Sequence, residues 1–325
     1  MVALFLSASV GLASPRPEFE IKFAALPPEG SAWIKAMRTI DRALRDKSEG
    51  RIGFRIYPGG IAGDELDVLR KIRIGQIHAT AFTGAGLTQI LPDVRVLDLP
   101  FLFSGLDEVD RVHGELQDHF AGQFREKGFE FLAWAEVGNA HIFSKKPVRL
   151  VSDLAHCKVW TWTGDPISKE TFSAMGTTPI PLAVTDVTTS LSTGMIDTVY
   201  GPPLGALALQ WHAYTKTMMS LPLAHATGAV LLSESVYRKL PDDLAVLLKE
   251  EFAKGMAQLT SELRAQSQKA LRIIEKSGLA LTPMPCGEDL EAFYRVHRCV
   301  ADSLAGRVYS REILERVYRI LGRTP

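Results

Sequence analysis

Strand-type alternation and helix-type apolar spacing take turns along this chain, and the whole alternation occurs twice. The first series predicts a strand from Phe19 to Ala25, bounded by Pro27-Pro28, and a helix from Gly30 or Ser31 to Asp46. Trp33, Ile34, Met37, Ile40 and Leu44 share one face of that helix. A strand from Arg51 to Tyr57 stops at Pro58-Gly59-Gly60. A helix opened by Gly63 or Asp64 and closed by Gly75 follows, then a strand from Ile77 to Thr83. The second series runs through a strand from Cys157 to Trp162, a helix from Pro166 to Met175, and a proline-flanked strand from Thr178 to Leu182. It continues with a helix capped by Thr185 or Asp186 and a strand from Ile196 to Tyr200. Each series reads β-α-β-α-β, the pattern of a doubly wound open α/β sheet, so the chain is expected to fold into two related lobes.

Between the two series lie a helix from Leu106 to Lys127 and two strands, Phe129 to Val137 and Ala140 to Ser144, parted by Gly138-Asn139. The segments Trp211 to Leu221 and Ala226 to Leu232 return toward the first lobe. A helix from Pro241 to Lys276 carries Leu244, Leu247, Leu248, Phe252, Met256 and Leu259 at helical spacing. That reads as a spine across both lobes rather than a coiled coil, and two amphipathic helices follow Asp289. The expected division is residues 1–13 as a signal peptide, 14–143 with 225–240 as lobe I, and 144–224 as lobe II. Residues 241–280 form the interlobe helix and 281–325 the C-terminal helices.

Lys plus Arg and Asp plus Glu both number 37, so no net field draws the chain to nucleic acid or an anionic membrane. Val2 to Leu12 is apolar or small, and Gly11-Leu12-Ala13 resembles a secretory cleavage site, although no Lys or Arg precedes it. This predicts export. Three cysteines, Cys157, Cys286 and Cys299, form neither a disulfide framework nor a metal site; pairing of Cys286 with Cys299 stays open. No phosphate loop, nucleophile elbow or HExxH motif occurs, and the histidines are dispersed, so no cofactor, metal or catalytic centre is expected. Glu136 and His141, expected on adjacent strands, form the one acid–base candidate, and a structural or ligand-orienting role outweighs a catalytic one.

The stretch from His156 to Pro166 concentrates the chemistry. Trp160 and Trp162 fall on one face of one strand, which ends in Gly164-Asp165-Pro166: a permissive turn, an N-cap and a proline at the first helical position. Such an aromatic wall at a strand's carboxyl end is either core or one side of a ligand cleft.

Four segments carry a resemblance. Pro58-Gly59-Gly60 with Gly63-Asp64-Glu65 and Leu69 to Gly75 is the first, and Leu99-Pro100-Phe101-Leu102-Phe103 the second. Ser144-Lys145-Lys146-Pro147-Val148 with Asp153-Leu154 is the third, and Met175 to Pro181 with Asp186 to Asp197 the fourth. In this order and spacing they resemble the solute-binding proteins of TRAP transporters, the DctP type. The resemblance implies a two-lobed periplasmic-binding-protein-like fold with a long interlobe helix. It further implies a periplasmic receptor that closes on a small molecule and delivers it to a TRAP-type membrane permease, without catalysis.

The departures from that family pattern shape the expected ligand. The family carries a carboxylate-clamping arginine where this chain has Trp160, in Lys158-Val159-Trp160. Polar groups that face the ligand are replaced by Tyr200 and Gly201, before Pro202. A planar guanidinium suits a carboxylate, and burying a carboxylate without such a partner costs several kcal/mol. The expected cleft is therefore walled by Trp160, Trp162, Tyr200, Phe101 and Trp211, with Trp33, Gly201, Pro202, Glu136 and His141 completing it. Its expected ligand is mostly apolar or amphipathic, and the resemblance to an arginine-less subgroup implies a periplasmic helical-repeat partner. The alternative is an organic acid held at the N-terminus of the Pro166 helix with Thr163, Lys158 or His141 nearby. A third reading is a periplasmic partner-binding or enzyme-like protein.

Overall fold

The computed structural model describes residues 16–323; the expected signal peptide lies outside the described residues. The first series forms β1 (Phe19–Ala24), α1 (Ala32–Lys47), β2 (Ile52–Tyr57), α2 (Glu65–Arg73) and β3 (Ala79–Phe82). Ser31 caps α1 by accepting from the Ile34 N–H at 3.3 Å, and Asp64 and Asp67 close a capping box on α2. After β3 come α3 (Gly84–Ile90), a 3-10 segment (Pro92–Asp98), α4 (Leu106–Glu126) and β4 (Phe129–Ser144).

The second series forms β5 (Trp160–Trp162), α5 (Pro166–Ala174), β6 (Ile180–Leu182), α6 (Val184–Thr193) and β7 (Thr198–Gly201). The cap of α6 is Ala183 rather than Thr185 or Asp186, which sit in its first turn. The chain continues through α7 (Pro203–Ala208), β8 (Thr217–Met218), β9 (Ala224–Ser233), α8 (Glu234–Tyr237) and α9 (Asp242–Lys276). It then adds β10 (Ala280–Leu281), α10 (Gly287–Leu304) and α11 (Arg311–Ile320).

The result is a two-lobed α/β fold of the periplasmic-binding-protein kind. Its sheets are mixed rather than purely parallel. β2, β1 and β3 run parallel, but β9 joins β3 antiparallel and in turn pairs antiparallel with β4. The interruption expected at Gly138-Asn139 is instead a bulge inside one 16-residue strand, β4. Gly138 takes φ = 100°, which suits glycine, and the strand keeps its pairing with β9 on both sides. The last four residues of β4 leave β9 and pair with β7, while β8 borders them and carries β10. β5 joins β7 through a Val159–Thr198 bridge and holds β6 at the edge, where Pro181 removes no needed donor. One strand thus belongs to both sheets.

α9 is the expected spine. Leu244, Leu248, Phe252, Met256, Leu259 and Leu263 bury one stripe under the first lobe, and Ile274 reaches the aromatic core of the second. At 1.5 Å per residue, the helix extends about 50 Å. Gly255 lets it approach α1, since a Cβ there would lie 2.5 Å from Ile40. α10 packs on α5, and α11 packs on α4, so the C-terminal helices bridge the lobes from the other side. Cys286 and Cys299 are exposed and unpaired, and Cys157 is buried. Among the described residues no helix is long and apolar enough to cross a membrane.

Phe252 has no exposed surface, and its ring lies 5.7 Å from that of Phe54. Phe252→Ala should lower stability by about 3–5 kcal/mol, read as a reduced urea midpoint with an unchanged slope.

Candidate functional site

β5 sits between β6 and β7 in the second lobe, so both its edges are paired. Val159 and Trp160 are wholly buried, and only Trp162, at 42% exposure, reaches solvent. The Trp160 indole N–H donates to the Leu182 carbonyl at 3.1 Å, which satisfies its one polar group. The ring of Tyr200 stacks on Trp160 with centroids 5.2 Å apart, Trp162 lies at 5.3 Å, and Trp211 meets it edge-on at 5.4 Å. Gly201 makes room: a Cβ there would lie 3.1 Å from the Trp211 ring. Pro202 follows as the cap of α7. Five of the expected site residues therefore come together: Trp160, Trp162, Tyr200, Trp211 and Gly201. They fill one another's space.

The other expected wall residues do not join them. Phe101 adopts φ = 55° and packs on Phe293 of α10, 5.2 Å away, because the Leu99–Phe103 segment turns into the core under the C-terminal helices. Trp33 packs against the core between α1 and α9. Glu136 and His141 lie on the same strand, five residues or about 16 Å apart, and so form no acid–base pair. Glu136 instead accepts from Arg264 of α9, at 3.4 Å from Nε and 3.2 Å from Nη2. Burial pushes its carboxyl above the usual range, with Arg264 opposing. His141 is buried with Nδ1 3.0 Å from the Met219 carbonyl.

A charged cluster between the lobes escaped the sequence analysis. Arg95, in the 3-10 segment of the first lobe, is 3% exposed. Its Nη1 contacts Asp98, and its Nη2 donates to Asp165, the α5 cap in the second lobe, at 2.8 Å. The Arg95 Nε and the Tyr200 hydroxyl are both buried without a hydrogen-bond partner. Asp165 also accepts from the N–H groups of Ile167 and Ser168 at 3.2 and 3.4 Å, so the expected anion site at the Pro166 helix is already filled by the chain's own carboxylate. Lys158 lies elsewhere, with Nζ 3.1 Å from the Gly194 carbonyl. The signal for the cluster was present in Val94-Arg95-Val96-Leu97-Asp98-Leu99, where two charges three residues apart interrupt an apolar run. Burial raises the Asp98 carboxyl to about 6, and Asp165 adds to this, against the pull of Arg95 and the Thr227 N–H at 2.8 Å.

Comparison with known proteins resolves the family. The signature of bacterial extracellular solute-binding protein family 7, DctP, matches residues 23–305. The chain belongs to that family. It is 24% identical over 273 residues to a solute-binding protein of Roseobacter denitrificans, covering 81% of this chain and 83% of the relative. It is 22% identical over 314 residues to the C4-dicarboxylate-binding periplasmic protein DctP of Rhodobacter capsulatus, covering 96% and 93%. Among solved structures, a TRAP periplasmic solute binding protein from Ochrobactrum anthropi, its C-terminus bound in the ligand binding pocket, superposes with TM-score 0.85. The identity is 23%, covering 93% and 94% of the two chains. A Desulfovibrio salexigens protein with bound orotic acid gives 0.84 at 18% identity, covering 94% and 99%. A Pseudomonas putida F1 protein with bound D-glucuronate gives 0.83 at 23%, covering 94% and 98%. The family is one of extracellular solute-binding proteins, so the chain is a solute-binding receptor.

Asp98 yields a test of the buried cluster. Its folded pKa, about 6, lies above the ordinary 3.8, so between those values the folded state holds more proton than the unfolded. Its contribution to stability is therefore greatest below pH ~4 and falls as pH rises toward 6, by on the order of 2–3 kcal/mol. Asp98→Asn keeps an acceptor for Thr227 and leaves Arg95 its Asp165 partner. Urea unfolding at pH 4, 5, 6 and 7 should show the wild type losing stability relative to this variant across that window.

Proposed function

We propose that this chain is the periplasmic receptor of a TRAP-type transporter for a small organic acid with a flat or apolar portion, captured between the two lobes and released to the membrane permease. The family match across residues 23–305 carries the receptor part of this reading. The acid part is supported by the ligands of fold relatives, D-glucuronate and orotic acid, and by the C4-dicarboxylate specificity of the Rhodobacter relative. The flat portion is supported by Trp162, the one exposed ring of the cluster at 42%, which lies against the buried Trp160 that stands where the family pattern has an arginine. Aromatic faces favour planar or apolar ligand surface, each large group contributing about 1.5–3 kcal/mol when buried.

The mostly apolar or amphipathic ligand expected from the sequence loses its main support. That expectation rested on the absence of a cation at the cleft, and Arg95 is a buried cation between the lobes. The helical-repeat partner was tied to that expectation and is not carried forward.

Thermal unfolding of the purified protein against D-glucuronate, D-galacturonate, orotate, succinate and benzoate, with palmitate and a neutral sterol for contrast, tests the reading. At a hundredfold excess over its Kd, a true ligand should add about 2.7 kcal/mol of stability. Stabilisation by one or more of the small acids, weakened by salt, is the expected outcome. Stabilisation by the sterol alone, indifferent to salt, would sink it.

A further inference from the structure

We propose that Arg95 is the carboxylate anchor of this receptor, and that Asp165 holds its guanidinium only until the carboxylate of a bound organic acid takes that place. The inference rests on the organic-acid reading above and adds the residue that recognises the charge.

The first ground is the geometry of the guanidinium. Arg95 presents two edges. Asp98, from the same 3-10 segment, meets Nη1. Asp165, from the opposite lobe, meets Nη2 alone, at 2.8 Å, and the neighbouring Nε is buried with no partner. The edge formed by Nε and Nη2 takes a carboxylate with two parallel bonds, as Arg38 takes Glu29 in this protein, at 2.9 and 2.8 Å. Asp165 therefore leaves half of the buried edge unused, and a free ligand carboxylate can fill it.

The second ground is the fate of the displaced group. Asp165 already accepts from the Ile167 and Ser168 N–H groups at the start of α5. Once released from Arg95 it remains capped, and Asp98 remains hydrogen-bonded to the Thr227 N–H. The exchange thus strands no buried carboxylate without a donor.

The third ground is the surroundings. The Tyr200 hydroxyl is buried without a partner, and its ring stacks on Trp160. An acid seated on Arg95 finds a further donor at the Tyr200 hydroxyl. The seat itself depends on Gly84, where a Cβ would stand 2.4 Å from Arg95 Nη1. The cation is supplied from the first lobe, while Trp160 occupies the second-lobe position where the family pattern carries an arginine.

Calorimetric titration of the full-length mature chain with each small acid of the panel above, D-glucuronate, D-galacturonate, orotate, succinate and benzoate, tests the proposal. Arg95→Gln combined with Asp98→Asn removes the cation without leaving its local counter-charge unpaired. For whichever acid binds the wild type, this double variant should bind about a hundredfold more weakly. Arg95→Lys keeps the charge but not the fork, and should bind at least about tenfold more weakly, which holds the test open if the double variant fails to fold. Asp165→Asn keeps a helix cap but removes the competing carboxylate, and should bind more tightly than the wild type. Binding by the wild type that is unchanged in both Arg95 variants overturns this proposal and leaves the organic-acid reading standing. No binding of any of the five acids by the wild type overturns that reading and this proposal together.

Discussion

The architecture depends on one strand serving two sheets. β4 pairs with β9 along most of its length and then passes its last residues to β7 and β8. Backbone hydrogen bonds are obligatory for buried strands, so this shared ladder fixes how the second sheet leaves the first. α9 lies along one side of the crossing, while α10 and α11 close the other through α5 and α4. These connections set how the two lobes face one another, and Arg95 and Asp165 meet between them.

The electrostatics of that meeting point differ from those of an ordinary surface ion pair. Exposed pairs contribute little, because water screens them and solvates each partner separately. Arg95 is almost without exposure and carries two carboxylates for one positive charge. The cluster therefore bears an excess negative charge in a low-dielectric setting, the condition under which a buried carboxyl resists ionisation. It lies beside unpaired donors on Arg95 and Tyr200, whereas Arg264 spends its donors on Asp110 and Glu136.

Much of the fold was legible because helices and strands announce themselves through periodicity and punctuation. The Asp165 cap and Pro166 start of α5, the spine helix and the edge position of Pro181 all follow from local chemistry. What failed to be legible was non-local. Gly138-Asn139 carries a turn's composition, yet pairing with β9 absorbs it as a bulge. Phe101 carries a wall's chemistry, yet α10 arrives some 190 residues later in the chain to cover it, and sequence order gives no hint of that. The site divided the same way. The grouping of Trp160 with Trp162 follows from alternation, and Tyr200 joins through β7. Arg95 was passed over because a charge in an apolar run is ordinarily a surface residue, and its partner Asp165 comes from another lobe.

The bulge at Gly138 reaches further than a local kink. A strand that ran through both lobes without interruption would impose a single in-and-out alternation on two separate cores. An insertion or deletion on one side would then turn the side chains of the other inside out. The extra residue at the bulge resets the phase between Glu136 and Gly138. With the earlier shift between Phe131 and Ala133, it sets which face each stretch of β4 presents before the last residues of the strand pass to β7 and β8.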